Sequence, residues 1–211
     1  MPNERTSWRH GLPAALLLLW LAGIGLRLTI LAVPPVLAMI RDDFGLSATE
    51  VGLLSSIPPA LFAIAALAGS LLVARLGVNA ALVGGLLLVA VGSALRGFST
   101  DFAILFATTI VMSSGIAIMQ PIMPAAVRQW VPTRIGLGTA IYTNGLLVGE
   151  IFPVLLTIPY VLPWVGGDWR MSLLAWSAPI VVIAVAIYAG APRGARGDAP
   201  VSYTHLTLPT N

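Results

Sequence analysis

Long apolar runs separated by short polar joints make up most of the chain. A helix that crosses a bilayer needs about 20 mainly apolar residues. Six segments meet this length, and none shows the polar alternation of a membrane barrel strand. We therefore predict six transmembrane helices, because a helix satisfies its own backbone hydrogen bonds in lipid. The predicted spans cover residues 12–38, 50–74, 79–98, 102–126, 136–163 and 171–190.

Two of the joints carry helix-capping patterns. In "GLSATE" (45–50), Ser47 is followed three residues later by Glu50, which is the pattern of a capping box at the start of the second span. In "GGDWRM" (166–171), Asp168 is a candidate N-cap for the sixth span. Trp169 follows it, and we expect this side chain to anchor the helix at the membrane interface.

Composition places the chain among integral membrane proteins. Hydrophobic residues make up 58% of it and charged residues 9%, with a mean hydropathy of +0.95. Soluble domains carry roughly a quarter charged residues. Cysteine is absent and the two histidines, His10 and His205, lie near the ends, so we expect no metal site and no cofactor. The basic residues are scattered arginines without a cluster, so nucleic acid is not an expected partner.

The arginines predict the orientation of the chain. With the N-terminus in the cytoplasm, most of them lie inside and few outside, as the positive-inside rule requires. The inside set is Arg5, Arg9, Arg75, Arg128, Arg134, Arg193 and Arg196, and the outside set is Arg41, Arg96 and Arg170. We predict a multi-pass protein of a bacterial cytoplasmic (inner) membrane, with residues 1–11 as a cytoplasmic N-terminus and the helix bundle at 12–190. Residues 191–200 would begin a cytoplasmic linker.

A weak internal repeat links the two halves of the bundle. The stretch "PVLAMIRDDFGLSATEVGLL" (35–54) resembles "PAAVRQWVPTRIGLGTAIYTNGLL" (124–147) with a short insertion. The two copies lie three spans apart, so they have opposite topology. A 3+3 inverted repeat of this kind is a common plan of secondary transporters.

The last residues differ in character from everything before them. Residues 201–211, "VSYTHLTLPTN", are polar and rich in threonine. One interpretation is a disordered cytoplasmic tail. We favour another: a transposase-adapter sequence used in shotgun library preparation encodes Pro200 through Thr210 in one frame. The expectation is then that 201–211 is a sequencing-adapter translation and that the native sequence continues differently after Ala199.

Two charged residues stand inside apolar spans. Arg27 lies roughly 22 Å into the first span at 1.5 Å per residue. A charge at the bilayer centre costs about 2.5–3.5 kcal/mol on insertion scales. Arg27 is therefore either a buried structural residue or a substrate-binding or gating charge that faces a cavity. Glu150, roughly 21 Å into the fifth span from the same side, is the acidic residue at matching depth.

Weaker candidates for a solute site are polar residues in the fourth and fifth spans. Gln120 could hydrogen-bond a solute or a neighbouring helix, and Tyr142 and Asn144 are candidates for the cavity wall. Gly145 and Gly149 form a small-xxx-small pair that favours helix packing. Several prolines within the spans predict bends, because proline breaks helix hydrogen bonds. They are Pro34, Pro35, Pro121, Pro124, Pro153 and Pro159.

Together these motifs resemble the N-terminal half of a major facilitator superfamily transporter, and most closely the cyanate / 2-nitroimidazole transporter family. The resemblance is carried by residues 25–77, by "SGIAIMQPIMPAAVRQWVPTRIGLGTAIYT" (114–143) and by "DWRMSLLAW" (168–176). The loop between spans two and three keeps the motif residues Gly69, Arg75 and Gly77. It lacks the family's aspartate and trailing basic residues, which weakens a gating role for it.

The resemblance implies an all-α membrane fold, a six-helix 3+3 inverted-repeat bundle equal to half of a 12-helix major facilitator fold. In that fold the first and fourth helices line the central cavity, and the first and fifth are neighbours. Arg27 and Glu150 are then expected to pair. The pair is either purely structural or a switch, in which an anionic solute competes for Arg27 and the freed Glu150 takes a proton.

The implied function is secondary transport of a small anionic or polar organic solute, with protons as a candidate coupling ion. The expected partners are this solute, the lipid bilayer and a C-terminal six-helix bundle beyond this chain. One alternative is a self-contained six-span protein that dimerises into a transporter or serves as a scaffold. An intramembrane enzyme is the other alternative. The predicted spans of this chain contain no nucleophile–base constellation, so no catalytic residue is expected.

Overall fold

The computed structural model describes residues 7–192, with side chains described for residues 11–63 and 75–192. It contains six helical rods, named span 1 to span 6 in chain order, and they coincide with the six predicted transmembrane helices. Span 1 consists of Ser7–Leu31, Pro34–Val36 and Leu37–Phe44, span 2 is Ala48–Leu76 and span 3 is Val78–Arg96. Span 4 consists of Phe102–Met119, Gln120–Ile122 and Met123–Trp130; span 5 of Ile135–Leu156, Thr157–Val161 and Leu162–Trp164; and span 6 is Trp169–Gly190.

Most of the helices extend beyond the apolar runs that predicted them, whereas span 3 ends at Arg96 rather than at residue 98. Span 1 begins at Ser7 rather than at residue 12, and it continues to Phe44 rather than ending at 38. Hydropathy marks the part of a helix that suits lipid, whereas hydrogen bonding and caps set its ends. The predictions for residues 1–6, for all but the first two residues of the linker at 191–200 and for the tail 201–211 lie outside the described residues.

Prolines interrupt three of the spans where bends were predicted. A 3₁₀ turn at Pro34–Val36 breaks span 1, and another at Gln120–Ile122 breaks span 4. Span 5 widens into a π-helical segment at Thr157–Val161, which contains Pro159. Proline lacks the N–H that would donate to the preceding turn, so the ladder shifts its spacing there.

The packing of the spans follows the predicted inverted repeat. Span 1 packs mainly on span 5, and span 2 on span 4. Span 3 packs on span 4, span 6 packs on span 1, and spans 3 and 6 pack on each other. If span 1 is exchanged with span 4, span 2 with span 5 and span 3 with span 6, the same set of packing contacts results. The fold is therefore a 3+3 inverted-repeat bundle, as expected for half of a major facilitator fold.

Glycines set the close crossing of span 1 and span 5. Gly23 faces the carbonyl oxygen of Tyr142, and Gly145 faces the carbonyl oxygen of Trp20, with no room for a side chain at either glycine. A Cβ atom added to Gly149 would lie 2.6 Å from the carbonyl oxygen of Ile24. Close backbone approach of this kind is the usual role of small residues at helix interfaces in membranes. The packing role expected for Gly145 and Gly149 is confirmed.

Both predicted caps are present in the joints. The Ser47 hydroxyl and backbone N–H donate to the Glu50 carboxylate, and the Glu50 N–H donates back to the Ser47 hydroxyl at 3.3 Å. Asp168 accepts from the backbone N–H of Arg170 at 2.8 Å and caps span 6. Asp101 caps span 4 in the same way through the N–H of Ile104. These caps satisfy backbone donors that have no partner inside the helix.

The two ends of the bundle differ in charge. One end carries the loops between spans 1 and 2, 3 and 4, and 5 and 6, and we call it the acidic end for Asp42, Asp43, Asp101 and Asp168. The opposite end carries Arg75, Arg128 and Arg134, all exposed, and we call it the basic end. Successive spans run in opposite directions, so successive loops lie at opposite ends of the bundle, and the acidic and basic residues of these loops are separated in the same way.

Lipid-compatible surfaces surround the bundle. Spans 1, 3, 4, 5 and 6 have the length and hydropathy to cross a membrane; span 2 contains residues 64–74, whose side chains lie outside the described set. Large apolar side chains such as Val182, Val185 and Tyr188 of span 6 are exposed on the outer surface. Such a surface is stable in hydrocarbon and not in water, so the chain is a multi-pass membrane protein.

Candidate functional site

An ion pair joins span 1 to span 5 in the middle of the bundle. Arg27 Nε lies 3.4 Å from Glu150 Oε1, and the two side chains are 25% and 40% exposed. The pairing expected from the depth of the two residues is confirmed. Arg27 Nε makes no hydrogen bond among the described residues, so the contact is electrostatic rather than a directed hydrogen bond.

The direction of Arg27 follows from the packing of span 1. Two positions earlier, Gly25 faces span 3 and span 6, where an added Cβ atom would lie 2.9 Å from Leu86 and 3.8 Å from Ile183. Two residues are about 200° apart around a helix. Arg27 therefore points away from spans 3 and 6, toward the side of the bundle formed by spans 2 and 5.

Span 2 provides a third group at this position. The Phe62 ring lies 5.7 Å from the Arg27 guanidinium carbon, and Phe62 is half-buried. A cation over an aromatic face is stabilised by about 0.5–2 kcal/mol. Arg27 thus has a carboxylate on one side and an aromatic face on the other, and its side chain as a whole stays partly exposed.

A second polar contact lies on the same pair of helices. Trp20 Nε1 donates to Asn144 Oδ1 at 2.9 Å, and Asn144 is exposed. Tyr142 is half-buried and its backbone carbonyl packs against Gly23. Tyr142 and Asn144 were the two residues predicted for the cavity wall. The side-chain amide of Asn144 is occupied by its hydrogen bond with Trp20, a contact that the sequence alone did not indicate.

Gln120 lies apart from this ion pair. It begins the 3₁₀ turn of span 4, it is exposed, and the turn packs against span 2. Its amide side chain therefore lies on the surface of the isolated bundle rather than in its core.

The loop between spans 2 and 3 consists of one of its three predicted motif residues, and the other two lie in span 2. Gly77 alone separates the two helices, with φ of 78° and ψ of 165°. This conformation is strained for any residue with a side chain, so glycine is required there. Arg75 is exposed at the basic end, and Gly69 lies within span 2.

Arg96 lies at the acidic end with Arg41 and Arg170, the other arginines of the predicted outside set, but unlike them it is wholly buried. Arg96 ends span 3 at the acidic end, and it is 0% exposed. Its Nη1 donates to the carbonyl oxygen of Thr29 at 3.2 Å and contacts Met112 Sδ at 2.7 Å. The burial of Arg96 could not be predicted from the sequence, because an arginine at the end of an apolar run gives the same hydropathy pattern whether its side chain faces water or the bundle.

A charged cluster closes the acidic end. Arg170 Nη1 pairs with Asp43 Oδ2 at 2.7 Å, and its Nε donates to the carbonyl oxygen of Ser99 at 2.8 Å. Trp169 is buried, packs edge-on against Phe44 and donates to Asp43 at 3.3 Å. The expectation that Trp169 is an interface anchor is wrong, because its ring packs between loops instead of facing the lipid headgroups. The cluster joins all three loops of the acidic end.

Comparison with known proteins adds the family. The family profile described as Major Facilitator Superfamily matches residues 16–205. The chain is 29% identical over 198 residues to the cyanate transport protein CynX of Escherichia coli (strain K12), which covers 92% of this chain and 49% of CynX. It is 27% identical over 149 residues to the 2-nitroimidazole transporter of the same organism, with 71% and 37% coverage. The chain spans about half, or less, of the length of these relatives.

Solved structures share the fold at low sequence identity. A bacterial homologue of the human lysosomal transporter Spinster, inward-facing and unoccupied, superposes with a TM-score of 0.73 at 18% identity, over 97% of this chain and 47% of the other. Tetrameric PepTSo2 superposes with a TM-score of 0.72 at 18% identity, over 84% of this chain and 41% of the other. The similarity shows the fold, and in each case the matched part is about half of the solved chain.

Proposed function

Because the chain belongs to the major facilitator superfamily, we propose that it forms the N-terminal six-helix bundle of a secondary active transporter. The solute class in this proposal is a small anionic or polar organic molecule. A relative named for cyanate and another named for 2-nitroimidazole support this class. A C-terminal six-helix bundle is the partner that the proposal requires, because alternating access needs two bundles that rock about a central site.

The observation that carries the proposal is the ion pair between Arg27 and Glu150. A fully buried pair would serve structure alone, but both side chains here are partly exposed. In this proposal a small anion that reaches the exposed part of Arg27 competes with Glu150 for its charge. Arg27 is the residue that we assign to solute binding.

Glu150 has two roles that the geometry permits. It can stay as a fixed counter-ion, which lowers the cost of placing Arg27 in the membrane. It can also act as a proton carrier: an anion that binds Arg27 weakens the ion pair, and the freed carboxylate then binds a proton. We favour the second role, because 40% exposure of the Glu150 side chain gives a proton a route to it. Proton-coupled symport would follow.

The other candidates have supporting roles in the proposal. Asn144, on the helix of Glu150, forms a hydrogen bond with Trp20, on the helix of Arg27, and this bond helps to hold the two helices together at the site. Tyr142 helps to set the crossing of spans 1 and 5, and exposed Gln120 is available to a solute or to the second bundle. Gly77 forms the joint between spans 2 and 3 at the basic end, and Gly69 and Arg75 belong to span 2.

The proposed location is a bacterial cytoplasmic membrane with the N-terminus in the cytoplasm. The exposed arginines Arg75, Arg128 and Arg134 gather at the basic end, while the aspartates gather at the acidic end. Positive charge is retained on the cytoplasmic side during insertion. The basic end therefore faces the cytoplasm in this proposal.

Transport by the protein encoded at the complete locus tests the proposal. The protein is reconstituted into proteoliposomes, and uptake of cyanate and 2-nitroimidazole is measured for the wild type, Arg27→Gln and Arg27→Lys. We expect Arg27→Gln to lower uptake at least about tenfold, the effect of losing one charge-assisted contact of about 1.5–3 kcal/mol. Arg27→Lys should keep part of the activity because it keeps the charge.

Arg41→Gln is the matched control, since Arg41 lies on span 1 but is exposed at the acidic end. Its uptake should equal that of the wild type. Full uptake by a folded Arg27→Gln protein would remove Arg27 from the site, and no uptake of any small anionic or polar solute by the wild type would overturn the proposed function.

A further inference from the structure

Arg96 carries a buried charge that the ion pair at Arg27 does not involve. Its side chain is wholly buried, and its Nε and Nη2 atoms have no hydrogen-bond partner among the described residues. The ion pairs found in the described part of the chain, Arg27–Glu150 and Arg170–Asp43, do not include it. A guanidinium stays protonated in proteins, so the positive charge persists. Burying an ion without a counter-charge costs several kcal/mol.

Arg96 lines a cavity of about 120 Å³ between spans 1, 2 and 4. The walls are mainly apolar and include Pro34, Leu54, Pro58 and Met112. A cavity of this size holds several waters or one compact ion. It is too small for a lipid headgroup with its glycerol backbone.

The polar groups of the cavity favour an anion. The hydroxyls of Ser55 and Thr109 already donate to the carbonyl oxygens of Val51 and Leu105. Among the described residues that line the cavity, Arg96 is the only charged one, and its N–H groups are the free side-chain donors. A cation would meet only repulsion there.

The cavity lies on the same helix faces as the ion pair. On span 1, Ile30 follows Arg27 by three positions in the same helix and lines the cavity, and Pro34 lines it from beyond the break in this span. On span 2, Ser55 and Pro58 precede Phe62 by seven and four positions, and both line it as well. Residues with these spacings share one face of a helix. The cavity is therefore about one to two helical turns from Arg27, toward the acidic end.

We propose that the Arg96 cavity binds one compact monovalent anion, and that it is an intermediate binding site on the path of the solute between the acidic end and Arg27. Binding of the anion does not depend on the proposed function, whereas the role as an intermediate site rests on it. The anion supplies the counter-charge that Arg96 lacks, and the exposed residue Ser55 marks the mouth of the cavity.

Bromide is the probe for the binding step. The protein of the complete locus, purified in detergent, is heated in a scanning calorimeter while sodium bromide replaces sodium gluconate at constant ionic strength. A ligand that binds only the folded state raises the Tm and does so in a saturable way. We expect such a rise with bromide and no rise with sulfate, which is larger, divalent and strongly hydrated.

Variants locate the response. Arg96→Gln should abolish the bromide-dependent rise of the Tm. Because removing a buried arginine can prevent folding, Ser55→Leu provides a second variant that narrows the mouth and should reduce the response. Ser56→Leu is its matched control: Ser56 is also exposed and also donates to a backbone carbonyl, but it does not line the cavity. It should keep the full response.

Arg27→Gln separates this proposal from the proposed function. The variant should keep the bromide response, because the anion binds at Arg96. Loss of the response in Arg27→Gln, its persistence in Arg96→Gln or Ser55→Leu, or a rise of the Tm that never saturates in the wild type would each overturn the anion site. A normal bromide response together with full uptake by Arg27→Gln would instead remove Arg27 from the solute site. A normal bromide response in a wild-type protein that takes up no small anionic or polar solute would refute the proposed function. The anion site would stand in both cases.

Discussion

Gly149 packs against the backbone of Ile24, where an added Cβ atom would lie 2.6 Å from the carbonyl oxygen of Ile24 and 2.9 Å from its Cα. The contact fixes how span 1 and span 5 cross. Glu150 follows Gly149 directly, and Arg27 lies three residues after Ile24, so the same crossing holds the two charges within reach of each other. The position of the ion pair therefore depends on a glycine that carries no charge.

Substituting Gly149 tests this dependence. Gly149→Ala should destabilise the bundle by about 1–3 kcal/mol, because two helix backbones must separate to accommodate the methyl group. Gly136→Ala in span 5 is the matched control, since an added Cβ atom there meets nothing within 4 Å. Denaturant unfolding in detergent micelles, followed by circular dichroism, measures both. Equal stability of the two variants would show that the crossing tolerates a side chain.

Substituting Glu150 distinguishes a proton carrier from a fixed counter-ion. With the protein of the complete locus in proteoliposomes, Glu150→Gln should lose accumulation driven by a pH gradient and keep solute exchange at equal pH, because glutamine cannot carry the proton. Glu50→Gln is the control, since glutamine also serves in a capping box. Accumulation by Glu150→Gln at the wild-type level would leave Glu150 with a structural role alone.

The pair Arg170–Asp43 at the acidic end should contribute little to stability. Its side chains are 28% and 42% exposed, so solvent screens the charges. A double-mutant cycle of Arg170→Gln and Asp43→Asn should give a coupling free energy of about 0.5–1 kcal/mol. Repeating the cycle with Asp42→Asn, an exposed neighbour that makes no ion pair with Arg170 in the described structure, should give a value near zero. Equal values in both cycles would argue against a specific contact.

The interpretation of the tail is tested on source DNA. Amplifying and sequencing the locus past the codon for Ala199 should show a reading frame that continues into about six more spans. Residues 201–211 should be replaced there by a different sequence. A stop codon directly after Asn211 would refute the adapter interpretation, and the six-span chain would then be tested as a homodimer.

The sequence determined those features that depend on local chemistry. Apolar length predicts the six spans, because the bilayer sets how many residues a helix needs. The caps at Ser47 and Asp168 are likewise local, since a cap bonds to backbone within three residues. The matched depth of Arg27 and Glu150 indicated that the two residues could pair. That their helices are neighbours was inferred from the resemblance to a family.

Tertiary structure decided which side of each helix meets a neighbour. Arg96 and Trp169 lie at the ends of spans, where one pattern fits both an exposed and a buried side chain, and long-range contacts with Met112 and Phe44 bury them. Asn144 bonds Trp20, which lies 124 positions away, and no spacing in the sequence encodes such a partner. Hydrophobicity fixes that a helix crosses the membrane, but in a chain that is apolar on all sides only packing fixes its rotation.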